Sequence, residues 1–239
     1  MSPTNAHDLV SENWKRVRSE IAEACALAGR SVDDIQIIGV SKYVDAPLTS
    51  LLSKAGCGIL GENRPQVLWE KSEWFEKQQL QMPQWHMIGH LQRNKARRTI
   101  PLIQMLHALD SERLADTVSA ECLKLDRKLP VLLDVNLTED STKTGIARDA
   151  VAGVLDHCLG LPGVVVKGLM AMSTLNATSN QARKEFSKVR ELRDELQEQF
   201  TGRVDLAELS MGMSGDFSEA IAEGATMVRI GTSLWKGVM

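Results

Sequence analysis

The residue best placed for chemistry is Lys42, which closes the apolar run Ile35-Gln-Ile-Ile-Gly-Val-Ser-Lys42. Partial burial moves an amine towards its neutral form, and a neutral amine attacks an aldehyde to form a Schiff base. The plain alternative is a solvated lysine at the end of a strand. Far along the chain, Leu209-Ser-Met-Gly-Met-Ser-Gly-Asp216 and Met227-Val-Arg-Ile-Gly-Thr-Ser233 read as a phosphate cradle in two pieces. Glycine permits close backbone approach, and hydroxyls with backbone N–H groups suit phosphate oxygens. Ser214 falls where a helix starting at about 214–216 would offer its N-terminus to an anion. The same Gly-Ser-Asp composition also makes ordinary turns.

The elements that must carry these residues alternate. Short β-type runs fall at 35–42, 57–62, 84–89, 105–109, 130–137, 163–171, 205–210 and 226–231, bounded by polar or turn-forming residues. Amphipathic helical segments lie at 5–29, 45–55, 63–79, 111–125, 147–159, 178–200 and 214–223. Asp110-Ser111 reads as a cap for the 111–125 helix, and Ser179 or Asn180 for the 178–200 helix. Eight strands alternating with helices over 239 residues predict one α/β domain, residues 1–239, built as a (β/α)8 TIM barrel. An open doubly wound sheet is the competing layout. Little chain follows the eighth strand, so the helix at 5–29 is expected to cover the place of a final helix.

In such a barrel the working residues gather at the C-terminal strand ends. Lys42, Glu62, Asn63, His86, His90, Asn136, Ser173, Ser210 and Arg229 all fall at or near those ends. Asp134 and Asn136 share one face of a strand and are candidates to point inward. His86, beside Trp85, reads as a hydrogen-bonded core histidine. His7, His107 and His157 have no partner at metal-ligand spacing, so no metal site is expected.

Composition narrows the class. A net charge of −3 and 25% charged residues fit an ordinary soluble protein and argue against a dedicated nucleic-acid binder. The basic cluster Arg93-Asn-Lys95-Ala-Arg97-Arg98 reads as a solvated helix face. The four cysteines, Cys25, Cys57, Cys122 and Cys158, lack metal or redox spacing and read as small buried hydrophobes in a reducing compartment. No signal-peptide pattern and no run of membrane-spanning length is present, so the expected location is cytoplasmic, with no membrane partner.

Several segments in order then resemble one family. They are Val40-Ser-Lys42, Gly61-Glu-Asn63, Trp85-His-Met-Ile-Gly-His-Leu-Gln-Arg-Asn-Lys95, Val135-Asn136, Lys143-Thr-Gly-Ile146, Gly168-Leu-Met170, Leu209-Ser-Met-Gly-Met-Ser214 and Met227-Val-Arg-Ile-Gly-Thr232. Together they resemble the YggS/PROSC family, also called pyridoxal phosphate homeostasis proteins, over about residues 8–237. The resemblance implies a barrel like the N-terminal domain of alanine racemase (fold type III) with pyridoxal 5′-phosphate (PLP) held as a Schiff base on Lys42. By the same resemblance Arg229 would face the pyridine nitrogen. Ser210, Met213, Ser214, Gly231 and Thr232 would surround the phosphate, and Asn63 and His86 would line the ring pocket. The chain departs from the family pattern at Arg64, where tyrosine is common, and at His90, where proline is common.

The resemblance implies a protein of PLP (vitamin B6) and amino-acid homeostasis without established catalysis. PLP-dependent apo-enzymes would be its partners, and a monomer is expected. Two further readings are a weak PLP-dependent racemase or lyase and a phosphosugar-type barrel enzyme without a Schiff base. Tyr43, the only tyrosine, is expected to aim away from the ring if the strand persists that far.

Overall fold

A computed structural model describes residues 3–138 and 144–238, so Lys143 of the Lys143–Ile146 segment lies outside the described residues. Eight strands form the barrel: β1 (Gln36–Val40), β2 (Ile59–Glu62), β3 (Gln84–Met87), β4 (Ile103–Leu109), β5 (Leu129–Asn136), β7 (Val164–Met170), β8 (Glu208–Met213) and β9 (Met227–Ile230). β6 (Ile146–Ala147) is a two-residue strand on the far end of β5. Every pairing is parallel, β4 pairs with β5, and β9 returns to β1, so the sheet closes on itself. The open-sheet alternative is thereby excluded.

Closure sorts the side chains by alternation. Ile38, Leu132, Met170 and Met227 meet inside the barrel, with Met105 and Ala108, as a small apolar plug. Their neighbours along the strands, such as Leu60, Trp85, Leu133, Leu169 and Val228, face the helices and join the larger core. Burying each large aliphatic side chain contributes about 1.5–3 kcal/mol, so the outer shell supplies most of the stabilisation.

The helices are α1 (Pro3–Leu27), α2 (Ala46–Lys54), α3 (Pro65–Lys77), α4 (Arg93–Thr99), α5 (Glu112–Leu123), α6 (Val151–Leu159), α7 (Ser179–Gln199) and α8 (Phe217–Ala222). Ser111 caps α5 as its sequence suggests. The cap of α7 is Thr178 rather than Ser179 or Asn180, because Thr178 and Gln181 complete a reciprocal capping box. α1 covers the gap left after β9. Its Val10, Trp14, Val17 and Ile21 are buried, and Asn13 donates to the carbonyls of Leu234 (3.1 Å) and Lys236 (2.9 Å) in the C-terminal turn. The 93–98 basic cluster forms α4, with the Arg98 guanidinium stacked 4.4 Å from the Trp69 ring centre. Among the described residues no helix is long and apolar enough to cross a membrane.

Candidate functional site

Lys42 stands two residues beyond the end of β1, in a turn closed by Val44 N–H donating to Ser41 C=O (3.1 Å). The strand stops at Val40 because its carbonyl accepts from the Trp235 indole N–H (2.8 Å). The next carbonyl, of Ser41, accepts from Lys71 Nζ (2.6 Å). Lys42 therefore follows two carbonyls that other elements hold. Its own side chain is half-buried, and Nζ has no hydrogen bond or ion pair among the described residues; it lies 4.8 Å from the Tyr43 ring centre. The strand ends at Val40, so the condition on which Tyr43 was expected to aim away from the ring is not met, and the exposed Tyr43 ring lies beside the lysine.

Behind this turn lies a sealed ion pair. Glu62 Oε2 accepts from Lys71 Nζ (2.7 Å) and Ser41 Oγ (3.3 Å), while Oε1 accepts from the Asn63 N–H (3.0 Å). Both charged side chains are buried, and burial pulls the Lys71 pKa down against the pull of Glu62. One pair thus fixes both the Lys42 turn and Asn63. Gly89 closes over the same place, where a Cβ would overlap the Asn63 carbonyl oxygen. The Asn63 Oδ1 is buried without a hydrogen-bond partner among the described residues.

A second polar cluster fills the barrel above its apolar plug. Arg229 donates from Nη1 to Ser210 C=O (2.6 Å) and Ser210 Oγ (2.7 Å), and from Nη2 to Ala171 C=O (2.9 Å). Ser210 Oγ meets His107 Nδ1 (2.9 Å), and His107 Nε2 meets His86 Nδ1 (3.0 Å). Burial pushes the His86 pKa down to about 4 and that of His107 well below the usual imidazole range; His86 and Arg229 add to the latter effect. Both rings are neutral at pH 7. Burial also lowers Arg229 to about 10, opposed by Asp134 and Asp216, which still leaves it a cation. Asp134 is 6% exposed, and burial raises it to about 7 against the attraction of Arg229.

The phosphate-like segments meet differently from the sequence expectation. α8 begins at Phe217, so Ser214 is not at its start but in the turn after β8. Its Oγ instead accepts from the N–H of Gly231 (3.2 Å) and of Ser233 (3.4 Å), joining the β8 and β9 loops. Thr232 opens the short 3₁₀ turn Thr232–Trp235, and Met213, at the end of β8, is held by its N–H donating to Asp216 (2.6 Å). The structure thus brings Ser210 and Arg229 together inside the barrel, and Ser214, Gly231 and Thr232 together at its rim. Lys42 and Asn63 are held from behind by one pair, and His86 connects to Arg229 only through His107 and Ser210. His107 and Lys71 were not foreseen as site residues. Alternation along β4 carries the signal for His107, because Met105 pairs with His86 in register and residue 107 lies on the same face.

A family model described as alanine racemase, N-terminal domain, matches residues 69–238. The pyridoxal phosphate homeostasis protein of Aquifex aeolicus is 38% identical over 94% of this chain and 96% of its own length. The chain belongs to the pyridoxal phosphate homeostasis protein family. The Haemophilus influenzae member is 32% identical over 95% of this chain and 94% of its own. PipY of Synechococcus elongatus, solved with PLP bound, superposes with a TM-score of 0.80 at 34% identity, covering 90% of this chain and 99% of its own. Within this family framework, the barrel places the Arg64 guanidinium against the Lys42 carbonyl (3.4 Å) and His90 Nδ1 against Asp110 (2.6 Å). Both departures therefore sit at the rim, outside the inner cluster and the Ser214 contacts.

Proposed function

We propose that this chain binds PLP through a Schiff base to Lys42 and serves intracellular PLP and amino-acid homeostasis. The observation that carries the reading is the half-buried amine with no hydrogen bond or ion pair among the described residues, fixed at a barrel mouth shared with the joined β8 and β9 loops. The site's donor set suits the cofactor. Ser214 Oγ accepts from the Gly231 and Ser233 N–H groups, which leaves its own hydroxyl proton to donate to a phosphate oxygen. The bound aldehyde supplies an electrophilic carbon for the Lys42 amine.

The chain's own residues divide the work. Ser210, Met213, Ser214, Gly231 and Thr232 line the phosphate end, and Arg229 faces the pyridine nitrogen. Asn63 and His86 bound the ring pocket. An arginine at the pyridine nitrogen disfavours its protonation, which weakens the ring as an electron sink and suits a carrier more than a carbanion catalyst. In this reading the protein works in the cytoplasm as a monomer with one domain over residues 1–239. It passes PLP to apo-enzymes that need it, with no nucleic-acid partner.

Incubating PLP-loaded protein with a PLP-requiring apo-enzyme tests the carrier role. Activation of the apo-enzyme faster than free PLP released from the protein allows is the expected result. Robust turnover of an amino acid with no transfer would replace the carrier reading by an enzymatic one.

A further inference from the structure

We propose that His107 is a positioning residue that locks the tautomer of His86, leaving His86 Nε2–H as a fixed donor for an oxygen acceptor on the ligand. The argument follows protons along the interior chain. Arg229 has no lone pair to offer, so its Nη1 donates to Ser210 Oγ. Among the described residues the only other partner of that oxygen is His107 Nδ1. Were His107 Nδ1 the donor, the Ser210 hydroxyl proton would be left without an acceptor at a fully buried position, an arrangement that desolvation disfavours. Ser210 therefore donates to His107 Nδ1.

The consequence passes to the next ring. His107 is fully buried and neutral, so its single proton is on Nε2 and donates to His86 Nδ1. A neutral His86 then carries its proton on Nε2. That nitrogen has no hydrogen-bond partner among the described residues, so it is free to meet a ligand. The buried cation at one end thus sets the direction of every hydrogen bond, and each proton position follows from the one before. The site presents a donor at this point and cannot present an acceptor without breaking a bond in the chain. A phenolic or anionic oxygen fits it; an N–H or ammonium group does not.

The tautomers stand on the protein alone, whereas taking that oxygen from PLP rests on the reading above. Side-chain 15N NMR of the ligand-free protein separates the two. The expected spectrum places His107 Nδ1 and His86 Nδ1 with unprotonated nitrogens and both Nε2 atoms with protonated ones. His107→Phe should release His86 into a mixture of tautomers. His107→Gln, whose amide can accept from Ser210 and donate to His86, should restore the single one. Protonated Nδ1 on His107, or an unchanged His86 in the Phe variant, overturns the proposal; the wild-type spectrum decides even if a variant does not fold. On adding PLP, the His86 Nε2–H proton should shift downfield, and an unmoved resonance in loaded protein removes the acceptor assignment. If PLP fails to bind while the free-protein tautomers are as stated, the proton assignment is upheld and the cofactor reading falls.

Discussion

Two buried polar clusters flank the second and third strands, and they are finished differently. On the outer side, Glu62, Lys71 and Ser41 close on one another, and both carboxylate oxygens of Glu62 have donors. Inside the barrel, the Arg229–Ser210–His107–His86 chain ends on a nitrogen with no hydrogen-bond partner among the described residues, and Asn63 Oδ1 and the buried Asp134 lie at the same end of the barrel. A completed cluster holds a backbone in place. A chain that ends on a donor with no partner among the described residues leaves that donor for a ligand. The outer pair thus reads as scaffolding for the Lys42 turn, and the inner chain as part of the ligand surface.

Breaking the outer pair has the largest expected effect on stability. Lys71→Met leaves Glu62 charged and buried, and removing one partner of such a pair costs about 3–5 kcal/mol. Urea unfolding should show this loss, and the double change Lys71→Met with Glu62→Leu should recover most of it. A double variant as unstable as the single one would mean the pair is not self-contained.

The inner cluster answers to pH instead. Asp134 is raised to about 7, so between its unfolded value near 4 and that pH the folded state binds more protons than the unfolded one. Its contribution is present at low pH and is lost as pH rises through about 7. The lowered His86 and His107 act in the opposite sense, costing stability as pH falls below about 6.5. Asp134→Asn should therefore gain stability relative to wild type as pH rises from 4 towards 7, by on the order of a few kcal/mol. Denaturation midpoints of the two proteins across pH 4–8 check this, and a constant difference would show that Asp134 ionises normally.

Smaller effects are expected at the rim. Ser214→Ala removes one hydroxyl from the joined loops and should weaken PLP binding roughly tenfold, equivalent to about 1.4 kcal/mol, as read by titration of the visible band. At the exposed Arg148–Glu195 pair (2.7 Å), Arg148→Ala should change stability by only about 0.2–1 kcal/mol. It serves as the control for both clusters.

Much of this was legible from local pattern. All eight barrel strands were expected within a few residues, because β-branched runs and turn residues alternate so regularly, and Lys42, Ser210 and Arg229 stand at or near their ends. The Glu62–Lys71 pair was not legible, since nothing local says that a lysine two turns into α3 bends back under the β1 turn. His107 escaped for a related reason: its partners are 21 and 103 residues away, and only closure of the barrel brings Ser210 to it. The exact start of α8 was missed because Ser214 bonds across to the β9 loop instead of capping its own helix.

The central claim is that the Lys42 amine, and no other, joins PLP. Borohydride reduction of the PLP-mixed protein, followed by peptide mass spectrometry, tests it most directly. The account predicts one phosphopyridoxyl group on the peptide carrying Lys42, with the visible band abolished in Lys42→Ala. Label on another lysine at equal yield, or a band that persists in the variant, would contradict it.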